Sequence, residues 1–585
     1  MLQEFRNLLN DRFGMFIHYG IYSAFEGFYH GKPVNAHTGL GEWIMRNAEI
    51  PIAEYAKTGR EEFRPAPGFA DRIAAAAKEA GMKYIVLTSK HHDGFCLFKS
   101  DVSDYNSYTY TGRDLCREMA DACRRVGLKI GFYYSHTLDW YEKDAGGVIS
   151  SEGGYEAHNN NYWDFPRHKP DFEKYLHEKC FPQVEELLTR YGDLCLIWFD
   201  FPHDITKEQS HELRALVKRL QPHCLINYRI AHSAYDYVSL GDNVLPTAPT
   251  GIPTECLVTM NNTWGYRRDD ANWKTPEKLI GVLAGTLACD STLLLNIGPK
   301  KDGSMTPETE NILHRMGEWT KRNAPAVYGD ITGNPFPYMF SFGHVSQKAN
   351  DLYLYITAEG VNEVVLPGLK SCPVSAKVLG GEDAEFRQEE NGLRVLLPKT
   401  GLPIPVCVLH FDIAPEISPV IAEADGLISL GIFWAQKENA VKGEEPRRLK
   451  FDCDLFSPDY GKTGLEISRS GAAHFWKDAN DILTWDFIVT EAGNYEVELI
   501  HNPSQYLTGA CFLSLGKQEN PVDFTTEKYR FSLSGEHAEN LRVARPAGEF
   551  VISAPGRYRV FLRRSGDTSA DLPVTEVRLR RKSDG

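Results

Sequence analysis

Polar side chains recur at one kind of place in this sequence, just past short apolar runs of strand length. The run LCLIWF (194–199) has no polar alternation, as in a strand buried on both faces, and it ends in Asp200. His18 closes GMFIHYG (14–20), and His91, His92 and Asp93 follow KYIVLTS (83–89). Tyr133, Tyr134 and Ser135 end KIGFYYS (129–135), with Asp139 and Trp140 just beyond, and Arg229 ends CLINYR (224–229). An unpaired charge in an apolar interior is costly. Asp200 therefore has either partners and a task or the modest role of capping the next helix. One such residue would carry little weight; five runs ending in this way point to a shared site.

The residue types narrow the chemistry. Imidazoles beside carboxylates raise zinc, but HxH, HExxH and CxxC are absent, and adjacent His91 and His92 are poorly spaced to share one ion. No GxSxG marks a serine nucleophile. What remains is a carboxylate among His, Tyr, Trp and Arg, a set suited to a sugar. Imidazole and guanidinium bond hydroxyls, and aromatic faces cover C–H faces. Hydrolysis of a glycoside needs a second carboxyl group as well.

These residues need a scaffold that gathers strand ends. Up to about residue 330, strand-like runs alternate with amphipathic segments at 69–81, 115–127, 172–192, 207–220, 277–289 and 307–322. Repeated strand–helix units imply a parallel sheet covered by helices. With no GxGxxG phosphate loop, the pattern favours a TIM-like (β/α) barrel over a dinucleotide-binding sheet. Chemistry in such barrels sits at the C-terminal strand ends, where the polar residues fall. Segments near 50–64 and 235–260 give no clear element.

Residues 331–415 change to short strands separated by Gly, Pro, Asn and Asp, the pattern of a β-sandwich. Residues 416–585 form a second β-rich stretch, in which TEAGNYEVELIH and SAPGRYRVFLRR share a turn-then-strand pattern. The expectation is a multidomain chain: a barrel at 1–330, a β-sandwich at 331–415, and a jelly-roll sandwich at 416–585. Phe475, Trp476 and Trp485 look exposed within the last of these. They make it either a carbohydrate-binding module or a sandwich with an aromatic core.

A chain of 585 residues is too long for one core. A net charge of -15 with no long basic run argues against nucleic acid as a partner. No apolar stretch approaches the length of a membrane span. The 12 cysteines are scattered without CxxC and read as reduced core residues. The opening MLQEFRNLLNDRFG lacks a basic region followed by an apolar stretch, so a cytoplasmic location is expected. No cofactor motif is present, and a homo-oligomer is compatible with the sequence.

GMFIHYGIYS, GLGEWIM, GMKYIVLTSKHHDGFCLF, GFYYSHTLDW, LIWFDF, TWGYRRD and LLLNIGPKKDG occur in one order over residues 1–330. In these motifs the chain resembles the α-L-fucosidases of glycoside hydrolase family 29. The resemblance implies metal-free, retaining release of terminal α-L-fucose from fucosylated oligosaccharides or glycoconjugates. It implies Asp200, of the WFD motif, as the nucleophile. The acid/base Glu varies in position among the family's subgroups. Here it falls to Glu255, ahead of TWGY, although Thr254 precedes it where a Trp stands in the similar subgroup. The alternative is a loop carboxylate linked to Arg267 or Arg268. The fucose-binding residues implied are His18, Glu42, His91, His92, Tyr133 (or its neighbour Tyr134), Trp198 and Arg229. Trp264 would lie near the fucose methyl group, or pack in the core. The resemblance also implies weak α-L-galactosidase activity, because a pocket for a methyl group rejects an added hydroxyl only about a hundredfold. Two rival readings are a noncatalytic fucose-binding protein on the same scaffold and a metal-dependent hydrolase using the His cluster. The loop 141–170, rich in Gly, Asn, Tyr and His, is expected to rim the leaving-group side.

Overall fold

The structure is a computed structural model. It describes residues 3–35, 39–146, 161–165, 168–202, 204–423, 426–439, 441–451, 462, 464–468, 471–474, 476, 478–502, 510–524, 543–564 and 572–582. Most of the 141–170 loop, and Phe475, lie outside the described residues.

The first part is one eight-stranded sheet. Its strands are β1 (Phe13–Ile17), β2 (Tyr84–Lys90), β3 (Lys129–Ser135), β4 (Leu196–Asp200), β5 (Leu225–Ile226), β6 (Val238–Asp242), β7 (Thr254–Thr259) and β8 (Ser291–Ile297). The order is β5-β4-β3-β2-β1-β8-β7-β6, with every neighbouring pair parallel. The two edges, β5 and β6, meet at a parallel bridge between Asn227 and Tyr237. There the Asp236 N–H donates to the Ile226 carbonyl at 2.8 Å. The sheet thus curls into a TIM-like barrel whose seam lies between β5 and β6.

Helices cover the strands outside the ring: α1 (Ile52–Glu62), α2 (Phe69–Glu79), α3 (Leu115–Val126), α4 (Phe181–Arg190), α5 (Lys207–Leu220), α6 (Pro276–Ala288) and α7 (Pro307–Arg322). Local signals set their ends. Asp114 caps α3 by accepting from the Arg117 N–H, and Gly127 follows it in the left-handed region, which carries no Cβ penalty for glycine. Thr206 and Gln209 form a reciprocal capping box on α5. At the seam, residues 227–237 hold a 3-10 turn, Tyr228–Ile230, rather than a covering helix. The two stretches without a clear sequence signal are α1 and the pair β6–β7. The latter is hard to read because Gly241, Asp242 and Glu255 interrupt the apolar runs.

The chain then forms β9 (Gly343–Lys348), β10 (Asp351–Ile356), β11 (Glu363–Pro367), β12 (Ser375–Val378), β13 (Glu385–Glu389), β14 (Gly392–Leu396) and β15 (Val406–His410). They make two antiparallel sheets, β9-β10-β15-β12 and β11-β14-β13.

The last part contains β16 (Ile421–Ala422), β17 (Leu427–Gly431), β18 (Gln436–Asn439), β19 (Glu444–Arg448), β20 (Ile482–Val489), β21 (Gly493–His501), β22 (Ala510–Leu515), β23 (Gln518–Asp523), β24 (Val543–Ile552), β25 (Gly556–Arg564) and β26 (Val574–Arg581). One sheet runs β19-β18-β20-β25-β22-β23, with β16 beside β20, and the other runs β17-β26-β21-β24. Buried apolar residues of both C-terminal regions form one contiguous cluster, from Phe336 to Leu579. Trp476 and Trp485, exposed-looking in the sequence, are each only 1% exposed. Their indole N–H groups donate to the Asp481 and Gly431 carbonyls, so these rings are core.

Among the described residues, all the cysteines but Cys195 and Cys372 are buried. None of the described helices is long and apolar enough to cross a membrane.

Candidate active site

Asp200 ends β4 at the C-terminal mouth of the barrel, with its side chain 14% exposed. Its charge has partners. Oδ1 accepts from Arg229 Nη1 at 2.8 Å and from the Phe201 N–H at 2.8 Å, and Oδ2 accepts from the Tyr133 hydroxyl at 2.9 Å. Burial alone would raise its pKa, but Arg229 and these hydrogen bonds outweigh that and hold it below the ordinary value. Phe201, whose N–H makes this bond, takes a left-handed φ of 55°, rare for a bulky residue.

Arg229 does a second job. Its Nη2 binds Asp242, which ends β6 with its side chain 50% exposed. Its guanidinium lies 4.8 Å from the Trp198 ring centroid. One arginine, mounted at the seam, therefore holds two carboxylates from strands on either side of it. Asp242 is the functional candidate that the sequence reading missed. The signal was present, since YVSLGD is another apolar run ending in Asp, but its shortness and Gly241 hid the strand.

The imidazoles line the same mouth. His18 Nδ1 lies 2.7 Å from Asn296 Oδ1, while Asn296 Nδ2 donates to the Trp264 carbonyl at 2.8 Å. The amide orientation so fixed makes His18 Nδ1 the donor and leaves Nε2 an acceptor. His92 Nδ1 lies 2.7 Å from Ser135 Oγ, whose own proton goes to the Leu138 carbonyl. Here too Nδ1 donates, and the Nε2 lone pair sits 3.8 Å from Asp200 Oδ2. Two acceptors so close leave a seat for a hydroxyl donor between them. Burial pushes His18 down to about 4 and His92 to about 3, so both are neutral at neutral pH. The ring of His91 stacks on Tyr133 at 5.4 Å and 11°.

Tyr133 faces this cluster and also stacks on Trp198, at 5.6 Å. Tyr134 points out of the barrel and donates to Gln183. Trp264 packs 5.2 Å from His18, ring to ring. A Cβ on Gly298 would come within 2.7 Å of the Trp264 carbonyl, which is why the LNIGP motif needs glycine there. Glu42 accepts from the Gly265 N–H at 2.7 Å, which ties the GEW segment to the Trp264 loop. Burial raises Glu42 to about 7.

Glu255, expected from the sequence as the acid/base, lies below the mouth. It is the second residue of β7, fully buried inside the barrel. Its carboxyl accepts from the Tyr84 and Trp198 donors at 3.0 Å and from the Tyr237 hydroxyl at 3.3 Å. Burial raises its pKa to about 7. It is a strand residue rather than a loop carboxylate. Arg267 pairs instead with Asp269, and Arg268 with Glu26. A group with no solvent exposure and three donors already bound is poorly placed to reach a leaving oxygen above the strand ends.

Behind the His pair lies a buried ionic cluster. Lys90 and Lys179 bind Asp139 at 2.9 and 3.0 Å, and the Trp140 N–H donates to the His92 carbonyl at 2.7 Å. No group of three or more His, Cys, Asp or Glu among the described residues has metal-holding geometry. The mouth is therefore a pocket with two arginine-linked carboxylates, neutral imidazole acceptors and aromatic walls.

The description of the family model that matches residues 4–325 is α-L-fucosidase. The tissue α-L-fucosidase of Bos taurus is 27% identical over 342 residues, which is 54% of this chain and 67% of that protein. A crystal structure of α-L-fucosidase from Vibrio sp. strain EJY3 covers all of this chain and 98% of its own, with TM-score 0.79 at 24% identity, a likeness of fold. An α-L-fucosidase of Lactobacillus casei, solved in complex with α-L-fucose product, is 36% identical with TM-score 0.51, covering 55% of this chain and 100% of its own.

Proposed function

The chain belongs to the α-L-fucosidase family, and we propose that it releases terminal α-L-fucose from fucosylated glycans with retention at the anomeric carbon. Asp200 is the nucleophile and Asp242 the acid/base. The observation that carries this assignment is the Arg229 clamp on both carboxylates. Retaining glycosidases hold such a pair about 5–5.5 Å apart, a separation that one guanidinium can span.

In the first step Asp200 attacks the anomeric carbon while Asp242 gives its proton to the departing glycosidic oxygen. The carbon–oxygen bond to the leaving group breaks, and an ester to Asp200 forms. The ester carries no charge, so Arg229 is left with Asp242 as its one anionic partner. Having given up its proton, Asp242 is a carboxylate and takes a proton from water in the second step. Water then attacks the same carbon and frees Asp200. His18 Nε2 and the seat between His92 and Asp200 accept fucose hydroxyl protons, and Trp264 lies against His18, where it can cover an apolar edge of the sugar.

The test is 4-nitrophenyl α-L-fucoside hydrolysis by wild type and by Asp200→Ala, Asp242→Ala and Glu255→Ala variants, with and without azide. The anomer of the first-formed product is read by NMR. Retention in wild type, azide rescue of Asp200→Ala with inversion, and rescue of Asp242→Ala with retention are expected. Rescue of Glu255→Ala rather than Asp242→Ala would move the acid/base role to the barrel interior. An inert wild type would leave a binding protein.

A further inference from the structure

The aromatic rings that face outward from the last sandwich are not the tryptophans that the sequence suggests. In β22 and β25 burial alternates, with Cys511, Leu513, Val560 and Leu562 pointing into the core. Phe512 and Phe561 therefore point to the opposite face and remain partly exposed. Phe561 lies opposite Ser514, and Phe512 opposite Arg563, so the two rings are diagonal neighbours on adjacent strands. Diagonal pairs stand about 7–8 Å apart, within reach of a single flat ligand. The Arg563 guanidinium lies over the Phe512 ring, 4.4 Å from its centroid, so a fork of donors sits directly beside an aromatic plane.

The polar groups around these rings cancel in charge. Arg557 and Arg559 bind Asp486, and Arg559 also reaches Glu438. Arg563 binds Glu519 at 2.8 Å. Three arginines thus face three carboxylates, all on open sheet surface. Such a face has little attraction for a polyanion, which needs unpaired cations. It offers fixed donors and acceptors beside aromatic planes, the combination that binds sugar rings.

We propose that this outer face is a second carbohydrate site, taking a neutral glycan and separate from the barrel mouth. The rings carry the C–H faces of the sugars, and the paired arginines and carboxylates bond the hydroxyls. The site holds the enzyme on glycan-rich material while the barrel acts on chain ends.

The experiment uses the full chain on agarose bearing N-acetyllactosamine, with free L-fucose at saturation to fill the barrel pocket. Retention of wild type is expected. It should weaken at least about tenfold in Phe512→Ala/Phe561→Ala and in Ser514→Arg, which adds bulk beside the rings without removing them. Hydrolysis of 4-nitrophenyl α-L-fucoside by both variants should stay within about twofold of wild type, because none of the residues placed at the mouth is changed. That second reading reports on the barrel alone, so failure of the fucosidase assignment and failure of this site are distinguishable. No retention of wild type would overturn the proposal. So would retention unchanged in both variants, or stronger salt-sensitive retention on heparin.

Discussion

Asp200 and Glu255 belong to one barrel and are connected through a single residue, since Trp198 precedes Asp200 by two positions and donates its indole N–H to Glu255. Their settings are opposite. At the mouth, Asp200 is anion-stabilised by Arg229 and kept below its ordinary pKa. At the floor, Glu255 meets only neutral donors and burial lifts it to about 7. On the proposed function, the difference means that burial alone does not make a carboxyl group catalytic. A nearby cation and an open side decide which one can react and which one supports it.

Four measurements break or sharpen that contrast. The largest effect is expected for Asp200→Ala, a loss in kcat of at least about 10⁴-fold, because no other group can form the ester. Stopped-assay nitrophenol release measures it. Activity above about a hundredth of wild type would remove Asp200 from the role.

Asp242→Asn is expected to lose about 10²–10⁴-fold on a fucosyl disaccharide, the usual range for a general acid. The loss should be smaller on 4-nitrophenyl α-L-fucoside, whose leaving group needs little protonation. Equal losses on both substrates would count against a proton-donor role.

Glu255→Gln is expected to keep kcat within about tenfold of wild type while lowering stability by about 1–3 kcal/mol. The substitution puts an amide N–H₂ among groups that only donate to Glu255, leaving one or more unsatisfied. Urea unfolding and steady-state kinetics on one preparation would show the split. A collapse of kcat at unchanged stability would erase the distinction between mouth and floor.

The smallest effect concerns pH. Glu255 has a folded pKa near 7 against an ordinary value of 4.5, so its neutral form is favoured in the folded state. Its contribution to stability is complete below about pH 4.5 and is lost as pH rises through about 7. Asp200 runs the other way: its contribution is present above the ordinary carboxylate value and is lost as pH falls through its lowered pKa. Urea midpoints of Glu255→Gln should therefore fall less steeply than those of wild type between pH 4.5 and 7. Some slope will remain, because Glu42 and Asp93 are also raised to about 7. Identical slopes would mean that Glu255 does not titrate there.

Much of the barrel was legible because the seven-residue strands β2, β3 and β8 are apolar and sharply bounded. Their ends gave His91, His92 and Tyr133 correctly as neighbours in the mouth. The seam was not legible. β5 is two residues long, β6 ends in Gly241 and Asp242, and between them runs a turn where a helix would announce the next strand. Asp242 is hidden there, and Glu255 takes the acid/base role in the sequence reading because β7, the strand that carries it, gives no clear signal. In the C-terminal sandwich the large tryptophans looked exposed by composition. Only the folded structure shows that they are buried and that Phe512 and Phe561 face out.

The seam itself is closed by little backbone. β4 and β5 pair at only two positions, and β5 touches β6 at one bridge. Asn227 supplies much of the missing thread: its side chain accepts from the Phe199 N–H at 2.8 Å, donates to the Phe199 carbonyl at 2.9 Å and reaches Ser239 at 3.4 Å. The ring is thus a bracelet whose clasp rests largely on one amide, and Asp200 and Asp242 are set on either side of that clasp. On the proposed function, any loosening of this sparsely paired seam changes first the gap between Asp200 and Asp242.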